Sequence, residues 1–384
     1  MKAIYNANVI QGNAILPHHA VLFTEKILAV VPDASLAAYS VGESYDAAGQ
    51  YLSPGFVDIH IHGSAGSDTM DKNNQALDRV SESIARTGVT SFLPTTMTMD
   101  LSRIETALDH IRTRMNPEQE KKGAEILGAH LEGPFISQTY KGAQSATYIL
   151  SPDFNKIKQY TDIIRIVTLA PELDGSIPFI EECRRHNIIA SIGHSAAEYE
   201  EAMAAIAAGA SHITHTFNAL TPLNHRKPGV VGAAMDSDVT CELIVDNLHV
   251  HPAAQRILLK TKGINKIILV TDAMRACLLE DGEYDLGGQT VFVKNNEARL
   301  PGGVIAGSVL KLNEAVYNFR QNTGLPLTDV LKAVTVNPAA RIGVYDRKGS
   351  LDAGKDADMV LFDDQIAISK TFVKGSLIWR RDEQ

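Results

Sequence analysis

The chain of 384 residues is 45% hydrophobic and 21% charged, and its formal net charge at pH 7 is −9. This composition excludes a disordered, collagen-like or disulfide-rich protein, and the length favours one large domain with a smaller one. Because the net charge is negative and no dense basic run interrupts it, nucleic acid is not an expected partner.

Both ends of the chain have the pattern of β-strands. Six short β-prone runs are separated by turn residues: 3–10, 12–23, 26–31, 358–362, 371–373 and 376–379. Chain ends often lie close together, so strands from the two ends can pair. We therefore predict one small β-sandwich domain, built from residues 1–53 and 346–384.

Between these ends, short apolar runs alternate with helical stretches. Eight runs are predicted strands: 56–62, 89–95, 126–132, 163–170, 188–194, 212–217, 242–246 and 267–272. Segments with apolar residues at helical spacing lie between them: 74–87, 101–115, 176–187, 196–208 and 252–262. This alternation predicts an α/β fold, a parallel (β/α)8 barrel of the TIM type over residues 54–345. A β-hairpin is expected after the eighth strand, over residues 282–303.

Five of the eight predicted strands end in residues of the types that bind metals. These residues are His60, His62, Glu132, His194, His215 and Asp272. In a barrel, the C-terminal ends of the strands converge on the face that carries the active site. His60 and His62 are two apart in a strand, so their side chains point the same way. A carboxylate at the end of a buried strand is costly unless it is paired or bound to a metal.

Each of these residues also has a simpler interpretation. A single histidine at a strand end is more often a hydrogen-bonded surface or core residue, and Asp272 alone could cap the following helix. Four histidines and two carboxylates at the same end of separate strands are hard to explain by chance. Together they predict a metal site.

Two neighbouring histidines are expected to stay outside the ligand set. His130 precedes Glu132 by two residues, and we expect it to support the site rather than bind the metal. His212 begins the sixth strand and is expected to lie too far below the barrel mouth.

Residues 54–63 (PGFVDIHIHG) and 349–358 (GSLDAGKDAD) resemble motifs of the amidohydrolase superfamily. More narrowly, the chain resembles the N-acetylglucosamine-6-phosphate deacetylase family, and the match spans nearly the whole chain in order. The blocks that carry this resemblance are 130–135 (HLEGPF), 193–195 (GHS), 215–219 (HTFNA), 246–249 (DNLH) and 271–273 (TDA). The HLEGPF and HTFNA blocks are specific to that branch.

The resemblance implies that Glu132, His194 and His215 hold a principal divalent metal ion. His60 and His62 would help to hold a second one, with Glu132 bridging and Asp272 nearby. Members of the family with Gln and Asn at this pair use one ion, whereas members with both histidines can use two. This chain keeps both histidines, which favours two ions over one. Zinc and ferrous iron both suit imidazole and carboxylate ligands.

The activity implied by the resemblance is hydrolysis of the acetamide of N-acetylglucosamine 6-phosphate in amino-sugar catabolism. A bound divalent cation lowers the pKa of water and polarises a carbonyl. Asp272 is the expected catalytic residue, as general base for the attacking water and then general acid for the leaving amine. The products would be acetate and glucosamine 6-phosphate.

The chain has no phosphate-binding loop of the GxxxxGK[ST] type. The family pattern instead assigns the sugar phosphate to these residues: Ala143, Gln144, Asn218, Ala219, Arg226, His249, Ile305, Ala306 and Gly307. Some relatives have His in place of Gln144, where it is assigned to polarising the carbonyl. Gln can donate a hydrogen bond but cannot be cationic, so this role is weaker here or shifts to the second metal.

Alternative functions stay open at this point. The same scaffold could deacetylate N-acetylgalactosamine 6-phosphate or hydrolyse another acyl-amide, although Arg226 and His249 favour a phosphorylated substrate. A non-catalytic scaffold is a remote alternative, because all six potential metal ligands are present. The resemblance also implies a homodimer, and whether Arg226 and His249 act within or across subunits stays open.

The cysteines and the N-terminus indicate the compartment. Cys183, Cys241 and Cys277 form no CxxC pair and leave an odd thiol, which fits a reducing compartment. The first residues lack the pattern of a signal peptide, and no run reaches 18 apolar residues. We expect a cytoplasmic, soluble protein with no membrane partner.

Overall fold

The structure is a computed structural model that describes residues 1–73, 75–116 and 122–382. The first residue of the helix predicted over 74–87 and the last two residues of the predicted small domain lie outside the described residues. No described helix combines the length and apolar character needed to cross a bilayer.

The N-terminal segment forms five strands of one sheet. Its strands are β1 (Lys2–Gln11), β2 (Ala14–Phe23), β3 (Ile27–Pro32), β4 (Glu43–Asp46) and β5 (Tyr51–Pro54). β2 pairs antiparallel with β1 and β3, whereas β4 and β5 run parallel to β1. The β-prone runs at this end of the chain are therefore confirmed as strands.

The middle of the chain alternates strands and helices. Its strands are β6 (Phe56–Ile61), β7 (Gly63–Ser64), β8 (Ser67–Asp68), β9 (Val89–Pro94), β10 (Glu125–Ile126), β11 (Ala129–Glu132), β12 (Ile164–Leu169), β13 (Ile189–Ile192), β14 (His212–Ile213), β15 (Thr240–Ile244) and β16 (Ile267–Val270). Its helices are α1 (Ala76–Ile84), α2 (Leu101–Met115), α3 (Ser176–Arg185), α4 (Tyr199–Ala208), α5 (Gly229–Asp236) and α6 (Pro252–Lys262).

These strands form a curled parallel sheet. β6 pairs with β9 and β9 with β10, and β11 to β16 pair in succession, every time in parallel. Two parallel bridges join the two groups, one between Thr95 and His130 and the other between Ile61 and Ala273. The second bridge brings the first strand beside the end of the last, so the carboxyl ends of the strands share one face.

The apolar pattern explains why these elements form. β6, β9 and β16 are buried along their whole length, as expected for strands covered on both faces. α2 buries Ile104, Ala107, Leu108 and Ile111, which lie on one face at helical spacing. The side chain of Asp100 accepts the N–H of Ser102 and caps this helix at its predicted start.

Among the predicted elements that differ from the structure are the third strand and the helix predicted over 196–208. The third strand, predicted over 126–132, is split between β10 and β11. Gly128 lies in the gap with a φ of +149°, and a Cβ there would lie 2.6 Å from the carbonyl oxygen of Ile163. α4 begins at Tyr199 rather than at residue 196, because Glu198 and Glu201 form a capping box that fixes its start.

The last part of the chain adds a small sheet, three helices and three strands that join the N-terminal sheet. Its strands are β17 (Gly282–Leu286), β18 (Gln289–Lys294), β19 (Glu297–Arg299), β20 (Met359–Phe362), β21 (Ile368–Val373) and β22 (Ser376–Arg380). Its helices are α7 (Leu312–Thr323), α8 (Leu327–Lys332) and α9 (Val336–Arg341). The hairpin predicted over 282–303 has a third strand, since β18 pairs antiparallel with both β17 and β19.

The two chain ends meet in one sheet with its own apolar core. β20 pairs antiparallel with β5, which gives the strand order β22-β21-β20-β5-β1-β2-β3, with β4 on β1. Its apolar core includes Ile4, Val21, Phe23 and Phe372, and the two phenylalanine rings meet edge to face with centroids 5.9 Å apart. The predicted pairing of the terminal segments is thus observed.

A buried ion cluster joins this terminal sheet to the parallel sheet. Lys348 has a side chain only 1% exposed, and its Nζ lies 2.6 Å from Glu125, 2.9 Å from Asp356 and 2.5 Å from Asp358. Glu125 begins β10, and the two aspartates precede β20. Burial alone would raise the pKa of Glu125, but Lys348 and Arg347 outweigh it and lower that pKa to about 2.

Candidate metal centre and active site

Four histidine side chains converge on the carboxylate of Glu132. Its Oε1 lies 3.3 Å from His60 Nε2, 3.3 Å from His194 Nε2 and 3.2 Å from His215 Nε2, and its Oε2 lies 3.3 Å from His62 Nε2. The ligand atoms fall into two overlapping groups, one with His194 and His215 and one with His60 and His62. Glu132 belongs to both groups.

Asp272 completes this cluster on the side of the His60 and His62 pair. Its Oδ1 lies 3.2 Å from His62 Nε2 and 3.5 Å from His60 Nε2. The main chain holds it from both sides, because its N–H donates to the His60 carbonyl and its own carbonyl accepts the N–H of Ser308, both at 2.8 Å. The structure therefore brings all six predicted ligands together.

The donor set fits a divalent metal ion. Among the described residues, the buried His60 Nε2 has no hydrogen-bond partner. His194 Nε2 and His215 Nε2 lie 3.1 Å apart and face the same carboxylate. Imidazole nitrogens and carboxylate oxygens aimed at a common point are the ligands that zinc and ferrous iron take.

The backbone turns three of the ligands towards this point. His194, His215 and Asp272 have φ values of +49°, +27° and +49°, in the region that favours glycine. Each follows the end of its strand by two residues, after β13, β14 and β16. The regular strands are therefore shorter than predicted, since strained backbone at their ends aims the side chains inwards.

The other ring nitrogens have protein partners that fix the imidazoles. His62 Nδ1 lies 3.2 Å from the carbonyl of Thr95, and His194 Nδ1 lies 3.0 Å from the carbonyl of Tyr140. A carbonyl can only accept, so Nδ1 carries the proton and Nε2 keeps its lone pair for a metal. His60 is fixed in the same way, but by a side chain.

That side chain is Glu242, to which we assigned no role from sequence. It is fully buried in β15, and its Oε2 lies 2.8 Å from His60 Nδ1. It also accepts the N–H of His215 at 3.0 Å and lies 3.2 Å from His212 Nε2. Burial would raise the pKa of Glu242, but His60 and His212 outweigh it and hold that pKa well below its usual value. A carboxylate inside the apolar run Cys241–Val245 was the signal available in the sequence.

His130 lies under the ligands with both ring nitrogens engaged. Its Nδ1 lies 3.0 Å from the Ile59 carbonyl, and its Nε2 lies 2.7 Å from the hydroxyl of Thr168. Burial lowers the pKa of His130 to about 3, which keeps the ring neutral. This geometry agrees with the supporting role predicted for it.

A cavity of about 440 Å³ opens onto the ligand cluster. Seven of the residues predicted to bind the substrate line it: Ala143, Gln144, Asn218, Ala219, His249, Ile305 and Gly307. His249 donates from Nδ1 to Asp246, 2.5 Å away. Burial would lower the pKa of His249, but the Asp246 carboxylate outweighs it and raises that pKa, which favours a cationic ring.

The two remaining predicted residues lie outside the cavity wall. Ala306 is buried behind it, where its N–H donates to the carbonyl of Ala298 at 3.0 Å. Arg226 is exposed in the loop before α5, and its guanidinium donates to His225 Nε2 at 2.6 Å. Within one chain, Arg226 does not reach the cavity.

Gln144 is bound to the ligand cluster itself. Its Oε1 accepts the N–H of Thr98 at 2.7 Å, which identifies its other amide atom as the donor. That Nε2 donates to Glu132 Oε2 at 2.6 Å. The side chain therefore holds the carboxylate that the two ligand groups share.

The chain belongs to the amidohydrolase family, whose model matches residues 51–378. Membership implies a divalent metal, and the ligand groups described above are suited to one. The motif resemblance to this family is thereby confirmed.

Individual relatives narrow the comparison. The chain is 42% identical over 332 residues to an N-acetylglucosamine-6-phosphate deacetylase of Bacillus subtilis, which covers 85% of this chain and 84% of that protein. It is 36% identical over 333 residues to an N-acetylgalactosamine-6-phosphate deacetylase of Escherichia coli O157:H7, covering 85% and 88%. A mutant N-acetyl-D-glucosamine-6-phosphate deacetylase from Mycobacterium smegmatis, solved with N-acetyl-D-glucosamine-6-phosphate, has a TM-score of 0.90 and 29% identity, covering 98% and 99%.

Proposed function

We propose that this protein hydrolyses the acetamide of N-acetylglucosamine 6-phosphate to acetate and glucosamine 6-phosphate. The observation that carries the proposal is the convergence of Glu132 and four histidines at the base of a cavity of about 440 Å³. The Bacillus subtilis relative and the Mycobacterium smegmatis complex support the choice of substrate.

The residues around the cavity have distinct roles in this reaction. These ligands would hold a divalent cation, which when bound would lower the pKa of water and polarise the acetyl carbonyl. Asp272, which lines the cavity, takes the proton of the attacking water. It then delivers the proton to the amine nitrogen, which must be protonated to leave. Gln144 positions Glu132, because its amide nitrogen donates to that carboxylate.

We propose two zinc or ferrous ions per subunit. The support is the pair of overlapping ligand groups with Glu132 in common. The eight parallel strands would form a closed (β/α)8 barrel over residues 54–345, supported by the bridge between Ile61 and Ala273. Residues 1–53 and 346–384 would form the small β domain, supported by the pairing of β5 with β20. A cytoplasmic location stays a prediction.

The function is tested by acetate release from N-acetylglucosamine 6-phosphate and from unphosphorylated N-acetylglucosamine, on one preparation whose metal content is counted by mass spectrometry. We expect a strong preference for the phosphorylated sugar and two ions per subunit. Metal-loaded protein that releases acetate from neither sugar would overturn the proposed substrate.

N-Acetylgalactosamine 6-phosphate is the second candidate substrate. The Escherichia coli relative that carries this name covers the chain as fully as the Bacillus subtilis relative does. The two sugars differ in the orientation of one hydroxyl group. Their kcat/KM values, measured side by side on the same preparation, decide between them.

Arg226→Ala is expected to raise KM for the phosphorylated sugar by about 10- to 100-fold with little change in kcat, because charge-assisted hydrogen bonds contribute about 1.5–3 kcal/mol. KM for the unphosphorylated sugar should not change. Lys227→Ala is the matched control, since its Nζ lies 3.7 Å from Glu198 and its side chain is 77% exposed. If Arg226→Ala raised KM equally for the phosphorylated and the unphosphorylated sugar, the phosphate role of Arg226 would be contradicted.

We also propose a homodimer in which Arg226 reaches the cavity of the other subunit. The support is its exposed position away from its own cavity. Mixing Arg226→Ala with Asp272→Asn subunits tests this arrangement. A mixed dimer then has one site with both residues intact, and kcat/KM for the phosphorylated sugar rises above that of either variant alone. If Arg226 acts within its own subunit, no site is complete, and kcat/KM for the phosphorylated sugar does not rise above the value expected from the Arg226→Ala subunits alone.

A further inference from the structure

We propose that Glu242 is the positioning residue that makes His60 a metal ligand and so creates the second ion position. The inference rests on the two-ion centre proposed above and assigns its occupancy to a residue outside the ligand set. It concerns the contacts of His60, which lies in β6 and is fully buried.

The first step is the tautomer of His60. Its Nδ1 lies 2.8 Å from Glu242 Oε2, and a carboxylate has no proton to donate. The ring proton must therefore lie on Nδ1, which leaves the lone pair of Nε2 directed at Glu132 and Asp272, 3.3 Å and 3.5 Å away. Among the described residues, Glu242 is the hydrogen-bond partner of His60 Nδ1, so it is the group that fixes this tautomer.

The second step is the orientation of the ring. Glu242 is itself held by the N–H of His215 at 3.0 Å and by the ring of His212 at 3.2 Å. The His60 ring also packs against His130 and His215, with centroids 4.6 Å and 5.6 Å away. A carboxylate held by two other groups, next to a ring packed against two others, fixes the direction of His60 Nε2.

The third step is a contrast with the other ligands. His62 and His194 direct Nδ1 at neutral backbone carbonyls, at 3.2 Å and 3.0 Å. His60 has a carboxylate instead, which raises the basicity of the ligand nitrogen. The ion next to His60 therefore depends on Glu242, whereas Glu242 contacts the ligands of the principal ion only through the backbone N–H of His215.

The experiment compares three variants at the same free zinc concentrations, set by a competing chelator. Glu242→Leu removes both acceptor oxygens, whereas Glu242→Gln keeps one acceptor in the same shape and removes the charge. Asp58→Asn is the matched control. Asp58 is also fully buried and accepts the backbone N–H of His60 at 3.2 Å, but it does not touch the ring. Ions per folded subunit are counted by mass spectrometry, and folding is checked by thermal unfolding.

We expect wild type and Asp58→Asn to bind two ions. Glu242→Leu should bind the principal ion and lose the second, whose Kd rises by about 100-fold, whereas Glu242→Gln should restore binding to within about 10-fold of wild type. If folded Glu242→Leu binds both ions like wild type, or loses both equally, the inference is overturned. Equal loss would show that Glu242 has only a structural role.

Wild-type protein separates this inference from the proposed activity. A wild type that binds a single ion and deacetylates the sugar phosphate would overturn the role of Glu242 and leave the activity standing. Two ions with no deacetylase activity would overturn the proposed function, while the metal counts of the variants would still decide the role of Glu242.

Discussion

Asp272→Asn is expected to lower kcat by about 10²- to 10⁴-fold, the usual contribution of a general acid or base. Asparagine keeps the shape of the side chain but cannot take a proton. The fold should not change, because the backbone N–H and carbonyl of Asp272 keep their 2.8 Å hydrogen bonds to His60 and Ser308. The variant should still bind metal, because Glu132 and the four histidines are intact.

The measurement is kcat on N-acetylglucosamine 6-phosphate together with the metal content of the same sample. Asp58→Asn serves as the control here too, because Asp58 is a buried aspartate that accepts the Thr271 hydroxyl at 2.6 Å and lies outside the cavity wall. A kcat for Asp272→Asn within tenfold of wild type, at full metal occupancy, would rule out Asp272 as the proton carrier.

Lys348→Met is expected to lower the free energy of unfolding by about 3–5 kcal/mol, the usual effect of removing one partner from a buried ion cluster. The side chain of Lys348 is only 1% exposed and lies within 3 Å of three carboxylates. Asp358 would keep hydrogen bonds but lose the cation nearest to it. The shift in the urea midpoint of unfolding measures the loss.

Lys26→Met is the matched control for this variant. The ammonium of Lys26 lies 2.5 Å from Asp356, but its side chain is 49% exposed. We therefore expect Lys26→Met to lower the free energy of unfolding by less than about 1 kcal/mol. A similar loss for the two lysines would show that burial of the cluster is unimportant.

The pH dependence gives a second signature of the cluster. The folded-state pKa of Glu125 is lowered from 4.5 to about 2, so its contribution to stability is present above pH 4.5 and is lost as pH falls towards 2. Without Lys348, burial raises the pKa values of the carboxylates. They are then protonated at mildly acidic pH, which removes the buried negative charge and so reduces the loss of stability in the variant. The difference in stability between wild type and Lys348→Met should therefore narrow as the pH falls.

The ligands could be predicted from the sequence because each lies at the end of an apolar run. His60, His194 and Asp272 share this position, and parallel strands bring such ends to one face whatever the details of their pairing. The start of α2 was predictable for a similar reason, since Asp100 and the apolar spacing after it are local signals.

Glu242 could not be assigned a role in the same way. It lies inside its strand rather than at its end, and its partner His60 is 182 residues away. Sequence spacing shows which face of a strand a side chain occupies, but not which side chain of another strand it meets there. Arg226 shows the same limit for loops, since its residue type suits phosphate but its position depends on how the loop folds.

The pairing of β5 with β20 gives the molecule a particular order of assembly. During synthesis β1 to β5 are made before the parallel sheet, and the strand that covers β5 follows only after that sheet has been made. Until then β5 presents an open edge that another nascent chain can pair with. The small sheet is therefore the last part of the fold to be completed, and slow synthesis before β20 would favour aggregation.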